Sequence, residues 1–207
     1  MRSHVVITGT GRAGTTFLVE LLTFLGLDTG FTRDNVFAQV DANARAGLEH
    51  DIRQPGAPHV VKSPWFCGHA AQVLADPDIH LEHVFVPMRD LHGAAASRRD
   101  VSHNYRGPDA ASRPPSSIIG GLWLTDDPAR QEEILLGQLY KLMLDLSEAQ
   151  VPVTLLHFPR LTREPDYLYR KLQPVLGHAT YAEFLDVFQA VARPEWVHTY
   201  AEPRPAC

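Results

Sequence analysis

Short apolar runs and helical repeats alternate along the chain from its first residues. Strand-like runs, rich in β-branched residues, occupy residues 4–8, 59–62, 81–88 and 153–157. Apolar residues at helical spacing predict helices over residues 15–27, 42–48, 67–75, 91–102, 129–150, 166–176 and 181–192. Because strands alternate with helices, the pattern predicts an α/β fold with three layers, α/β/α, around a central parallel sheet. Ligands of such sheets bind beyond the carboxyl ends of the strands.

Two loop-rich segments interrupt this alternation, at residues 30–58 and 105–124. The flanking pieces are too small to fold alone, so we predict one domain over residues 1–207, with both segments close to the site. Trp123, Tyr105 and Phe37 lie in these segments and offer apolar area for a substrate.

Composition excludes several classes of protein. With 207 residues, of which 44% are apolar, the chain is long enough for one good core, and its net charge of -5 argues against nucleic acid or an anionic membrane as the main partner. Its two cysteines have no metal-type spacing. No run reaches the roughly 18 apolar residues of a membrane span, and strand 4–8 leaves no room for a signal peptide. We therefore expect a protein of the cytoplasm.

A glycine-rich loop, residues 9–16, follows the first strand and opens the first helix. We call it the phosphate loop, because backbone N–H groups between Gly9 and Gly14 can converge on a phosphate at the positive end of a helix. Thr15 and Thr16 add hydroxyl donors. An ordinary nucleoside triphosphate loop needs Lys at position 15 to reach the β- and γ-phosphates, and here that position is Thr.

The run from Arg12 to Thr16 resembles the 5′-phosphosulfate loop of sulfotransferases that use 3′-phosphoadenosine-5′-phosphosulfate (PAPS), in the bacterial and glycan-type branch. The resemblance implies a P-loop nucleoside triphosphate hydrolase-like fold and a site for PAPS, with adenosine 3′,5′-bisphosphate as product and no metal required. It implies donor-binding roles for Gly11, Arg12, Ala13, Gly14, Thr15, Thr16 and Phe17.

A second motif of the same family is a strand that ends in Arg, with Ser eight residues later. Arg89 and Ser97 match that spacing, and the resemblance implies that they grip the 3′-phosphate of the donor. An Arg at a strand end and a hydroxyl two helical turns later face one pocket only if the helix begins near the Arg.

Two further segments resemble the family less specifically. The run around Lys62, Ser63 and Pro64 looks like the segment that places a Lys at the reaction centre, so Lys62 and Arg12 are the cations expected to stabilise the transferring group. The late strand ends at His157, and the resemblance implies that His157 or Phe158 borders the adenine.

Transfer to a hydroxyl also needs a base. The glycan-type branch takes a Glu from the variable upstream segment, and Glu49 is the candidate that this resemblance favours. The other candidates are His50, Asp51, Asp34 and His69.

The sequence thus predicts a sulfotransferase that moves a sulfuryl group from PAPS to a hydroxyl or amine of a small molecule or glycan. Two alternatives stay open: a small-molecule or nucleotide kinase that uses ATP and Mg²⁺, and a nucleotide-binding protein without catalysis. A kinase should carry the loop Lys and an acidic metal ligand, for which Asp90 is the only obvious candidate. The sequence does not identify the acceptor or the oligomeric state.

Overall fold

The computed structural model describes residues 1–42, 44–104, 114–198 and 200. The strands are β1 (Arg2–Ile7), β2 (Val60–Lys62), β3 (Ile79–Met88) and β4 (Val153–His157). The helices are α1 (Thr15–Phe24), α2 (Ala70–Leu74), α3 (Leu91–Asn104), α4 (Gln131–Glu148), α5 (Pro165–Leu176) and α6 (Tyr181–Val191). Within the described ranges no helix is both long enough and apolar enough to cross a membrane.

The four strands form one parallel sheet in the order β2-β1-β3-β4. The chain leaves β1 toward β2 on one side, and it leaves β3 toward β4 on the other. The carboxyl ends of β1 and β3 therefore flank a point where the connections diverge. A crevice opens at such a point in parallel sheets, and it is where their ligands bind.

Alternate residues of β1 pack into different layers. Val5 and Ile7 belong to a core cluster with residues of α1, α5 and α6, whereas Val6 belongs to a second cluster with residues of α2 and α4. All three side chains are fully buried. A strand that is covered on both faces reads as a continuous apolar run, which explains the pattern of residues 4–8.

The predicted α/β architecture with a central parallel sheet is confirmed. Helices flank both faces of that sheet, as a three-layer arrangement requires. The assignment to the P-loop nucleoside triphosphate hydrolase-like class stays a prediction.

One predicted helix, over residues 42–48, is wrong. The chain turns there, and Val40 and Gly47 form an isolated antiparallel bridge. Arg45, Gly47 and Leu48 all have positive φ, which a right-handed helix does not permit. The turn carries Arg45 and Glu49 toward the carboxyl ends of the strands.

Candidate active site

A cavity of about 490 Å³ lies beyond the carboxyl ends of the strands. The phosphate loop, which follows β1, lines it together with Lys62 at the end of β2 and Arg89 after β3. Ser97 of α3 and Phe158 after β4 complete this side. Residues from every strand end thus meet in one space, although the chain separates them widely.

The phosphate loop has the backbone of an anion cradle. Gly11, Arg12 and Gly14 all have positive φ, and Gly14, the residue directly before α1, has the left-handed conformation. Among the described residues, no side chain caps the amino end of α1. The first N–H groups of a helix have no partner within it, so they are placed to bind an anion in the cavity.

Arg12 joins the phosphate loop to the second motif. Its Nε donates to Ser97 Oγ at 3.2 Å, across 85 residues of chain. Arg89 Nη1 donates to the Arg12 carbonyl oxygen at 2.8 Å. Arg12, which the family resemblance assigns to the donor loop, is therefore hydrogen-bonded to both residues assigned to the 3′-phosphate.

Burial and mutual repulsion act on the guanidinium groups at this point. Burial is the main cause that lowers the pKa of Arg89, and the charge of Arg12 lowers it further. Burial lowers the pKa of Arg98 to about 9, again with a contribution from Arg12. A bound anion would offset both the burial of these guanidinium groups and their mutual repulsion, because it supplies negative charge and hydrogen-bond acceptors.

Arg98 also holds the loop in shape. Its guanidinium donates to the carbonyl oxygen of Thr10 from Nη2 at 2.8 Å and to that of Gly121 from Nη1 at 2.8 Å. Arg98 is 5% exposed. It fastens the phosphate loop to the segment that contains Gly121, so these two walls of the cavity are held together by one side chain.

Lys62 is buried, and its ammonium group donates hydrogen bonds to three acceptors. Nζ donates to Thr16 Oγ1 at 3.0 Å, to Glu49 Oε1 at 2.8 Å and to the Gly47 carbonyl oxygen. Burial lowers the pKa of Lys62, and the charge of Glu49 opposes that shift. The predicted reaction-centre Lys and the predicted base are therefore partners in one ion pair.

Glu20 is a second carboxylate in the cavity, and the sequence reasoning missed it. It is the only charged residue of α1 and lies one turn beyond Thr16. Burial raises the pKa of Glu20 to about 7, even though the charges of Lys62 and Arg193 act in the opposite direction. The signal was available in the sequence: a lone Glu on an apolar helix, four residues after a loop Thr.

The other base candidates lie outside the cavity lining. Asp34 is exposed, and the His50 ring packs against Phe31 with centroids 4.9 Å apart. Asp51 bonds to Arg53, which lowers the pKa of Asp51 to about 2. The His69 ring contacts that of Phe66. We find no geometry that brings these four side chains to the reaction centre.

His157 does not border the cavity. Its side chain is exposed, and the lining includes the following residue, Phe158, instead. β4 ends at His157, where the chain turns, so the next side chain rather than this one faces the site. The Arg89 guanidinium lies 5.0 Å from the centroid of the Phe158 ring. Of the two residues predicted to border the adenine, the cavity lining therefore contains Phe158 and not His157.

The remaining loop residues divide between cavity and core. Phe17 lines the cavity and packs edge-to-face on Phe188, with ring centroids 5.7 Å apart. Ala13 is fully buried and is not part of the lining. Ala13 therefore contributes backbone and packing rather than a side-chain contact to a ligand.

Both loop-rich segments contribute to the cavity. The first supplies Val40, Arg45, Ala46 and Glu49, and the described part of the second supplies residues 116–123. Trp123 lies in the lining, whereas Phe37 is 48% exposed and packs on Phe24 outside it. The prediction for Tyr105 falls on residues 105–113, outside the described part of the chain.

The cavity is cationic in a chain whose net charge is -5. Among the described residues its lining has two carboxylates, Glu20 and Glu49, against six cationic side chains: Arg12, Arg45, Lys62, Arg89, Arg98 and Arg193. In the same part of the chain there is no group of three or more His, Cys, Asp or Glu that could hold a metal ion. The charge balance favours a ligand with several negative charges.

We compared the chain with protein-family models, with curated proteins and with solved structures, and none of them matches it.

Proposed function

We propose that the protein is a sulfotransferase that moves a sulfuryl group from PAPS to a hydroxyl or amine of a small molecule or glycan. One observation carries the proposal: Arg12 of the phosphate loop is hydrogen-bonded both to Ser97 of α3 and to Arg89 after β3. PAPS has a phosphate at each end of its ribose, so its recognition needs two anion sites that share one wall.

The residues divide into two anion sites. The N–H groups at the amino end of α1, with the hydroxyls of Thr15 and Thr16, would hold the 5′-phosphate. Arg89 and Ser97 would hold the 3′-phosphate, and the Phe158 ring beside Arg89 would give the adenine an apolar face. The lowered pKa of Arg89 supports this placement, since burial without an anion is costly there.

Positioning and electrostatics would supply most of the catalysis. Lys62 Nζ contacts Thr16 Oγ1, so the Lys62 ammonium lies next to the amino end of α1, where the transferring group would be held. Arg12 is a second cation of the cavity lining, and its guanidinium donates to Ser97. Charges that are already in place cost no reorganisation when negative charge develops on the oxygens of the transferring group and of the leaving phosphate.

The donor preference can be tested by thermal shift with PAPS, with adenosine 3′,5′-bisphosphate and with ATP and Mg²⁺. A ligand that binds only the folded protein raises the melting temperature in proportion to the logarithm of its concentration over Kd. We expect PAPS and the bisphosphate to stabilise the protein more than ATP and Mg²⁺ do. Stabilisation by ATP and Mg²⁺ alone would support a kinase and contradict the proposal.

Binding of the bisphosphate without transfer to any acceptor would instead favour the non-catalytic nucleotide-binding protein. Transfer of ³⁵S from [³⁵S]PAPS to a panel of phenols, alcohols, amines and sugars separates these two outcomes.

A further inference from the structure

The two carboxylates of the cavity have different surroundings. Glu49 Oε1 accepts from Lys62 Nζ at 2.8 Å and from the Gly47 N–H at 3.3 Å. Among the described residues, the Glu20 carboxylate has neither a hydrogen bond nor an ion pair. The Glu49 carboxylate is engaged by the Lys62 ammonium, so a proton taken from an acceptor would have to displace that partner. Glu20 is under no such constraint.

Glu20 also lies on the face of α1 that carries Thr16, where a base could reach the acceptor. Residues four apart on a helix are neighbours, so Glu20 lies beside Thr16, whose hydroxyl accepts from Lys62 Nζ. The Glu20 side chain lies farther along α1 from the phosphate loop than Thr16 does. An acceptor that attacks in line, opposite the departing 5′-phosphate, must enter on the side away from the loop amides.

From this placement we infer that Glu20 is the general base of the reaction and that Glu49 positions Lys62. The inference rests on the proposed function. In the transfer step, the acceptor oxygen forms a bond to sulfur while its proton passes to the Glu20 carboxylate. The bond between sulfur and the bridging oxygen breaks, and its electron pair goes to the departing 5′-phosphate. Charge and atoms balance without any further reactant.

The charges around Glu20 determine its titration. Burial raises its pKa to about 7, and the charges of Lys62 on β2 and Arg193 after α6 limit that rise. The other charged or titratable side chains of the lining are Arg12, Arg45, Glu49, Arg89, Arg98 and His198. A base with a pKa near the working pH combines an adequate deprotonated fraction with a strong driving force for proton transfer.

The test compares Glu20→Gln and Glu49→Gln with the unmodified protein and with the control Glu148→Gln, which alters an exposed residue at the end of α4. The readout is ³⁵S transfer from [³⁵S]PAPS to water and to 2-naphthol between pH 5 and pH 9. In the unmodified protein we expect kcat to fall as pH decreases, with a midpoint near pH 7, and we call this fall the acid limb of the pH profile. We expect Glu20→Gln to lower kcat by about 10²- to 10⁴-fold and to remove the acid limb. Glu49→Gln should keep that limb, and so should Glu148→Gln.

Glu20→Asp provides a second variant in case Glu20→Gln misfolds. It keeps a carboxyl group on the same face, so we expect a reduced rate with the acid limb retained. Binding of adenosine 3′,5′-bisphosphate should stay within about twofold of the unmodified protein in Glu148→Gln and in both Glu20 variants, because neither carboxylate is bonded to a residue of the two phosphate sites.

Two results contradict the inference in distinguishable ways. If Glu20→Gln retains the acid limb, or if its kcat lies within threefold of that of the unmodified protein, the inference fails and the proposed function stands. If the unmodified protein binds the bisphosphate and transfers ³⁵S neither to these two probes nor to any member of the acceptor panel, the proposed function fails and the inference fails with it.

Discussion

At the scale of single residues, Gly11 illustrates why the phosphate loop needs glycine. Its φ is +68°, and a Cβ at this position would lie 2.5 Å from Arg98 Nη2. Arg98 cannot move away freely, because its guanidinium bonds to the carbonyl oxygens of Thr10 and Gly121. The glycine spacing that the sequence shows therefore has two causes, the left-handed backbone and a close approach to a buried Arg.

We expect Gly11→Ala to destabilise the protein by about 1–2 kcal/mol through its backbone and by a similar amount through displacement of Arg98. Gly26→Ala is the matched control, since Gly26 has φ +86° and no atom within 4 Å of the added Cβ. Urea unfolding of both variants measures the difference. Equal losses of unfolding free energy in the two variants would contradict the role of Arg98.

At the scale of elements, α4 shows how a helix is held in place by the packing of its apolar face. Leu142 and Leu146 are buried in the core cluster beneath the sheet, whereas Leu136, Tyr140 and Leu144 on the other side are exposed. The apolar face against the sheet supplies the burial that stabilises α4, since most of the stability of a helix in a protein comes from the packing of its apolar face.

Two leucines of α4 test this division. Leu142 is 1% exposed and Leu144 is 45% exposed. We expect Leu142→Ala to lower the unfolding free energy by about 2–5 kcal/mol through lost burial and a cavity. Leu144→Ala should change it by about 0.5 kcal/mol or less. The measurement is the urea midpoint at an unchanged m-value. A similar loss of unfolding free energy in both variants would show that α4 does not pack on the sheet through the face of Leu142.

The elements were mostly predictable because their patterns are local. Strand β4 was predicted at its observed bounds, and the buried run of β1 was clear because both of its faces are covered. The segment 42–48 was not predictable, because its Arg45 and Leu48 take positive φ, which their side chains do not encode. Their conformation follows from contacts such as the Val40 to Gly47 bridge, which form only in the folded chain.

At the scale of the whole molecule, the candidate site could be predicted only in part. The family resemblance grouped Arg12, Arg89 and Ser97, and the structure brings them together. Neither spacing nor composition revealed that Glu49 pairs with Lys62, or that Arg193 lies near Glu20. Such contacts depend on the order of strands in the sheet and on the course of the loops, which local patterns do not determine.

The raised pKa of Glu20 makes the stability of the whole molecule depend on pH. The folded state keeps the Glu20 proton up to about pH 7, whereas the unfolded chain loses it near 4.5. Between these values the folded state binds more protons, so this residue lowers the free energy of unfolding as pH rises, by about 3 kcal/mol in total. The loss is complete about one pH unit above 7, where the folded state has also released the proton.

We therefore expect Glu20→Gln to be more stable than the unmodified protein at pH 8 and to approach it near pH 4. Urea unfolding across this range measures the difference, in which the titration of groups that the substitution leaves unchanged cancels, and Glu148→Gln controls for the loss of an exposed carboxylate. If the two stability curves of Glu20→Gln and the unmodified protein run parallel from pH 4 to pH 8, the environment of Glu20 is not as described.

The central claim is that Arg89 and Ser97 bind a 3′-phosphate while the phosphate loop binds a 5′-phosphate. Isothermal titration of adenosine 3′,5′-bisphosphate and of adenosine 5′-monophosphate measures it most directly, with Arg53→Ala as the control because Arg53 pairs with Asp51 away from the cavity. A charge-assisted bond contributes about 1.5–3 kcal/mol, so the unmodified protein and Arg53→Ala should prefer the bisphosphate by about 10- to 100-fold. Arg89→Ala should abolish that preference. Equal affinity of the unmodified protein for both nucleotides, or a preference that survives Arg89→Ala, would contradict the account.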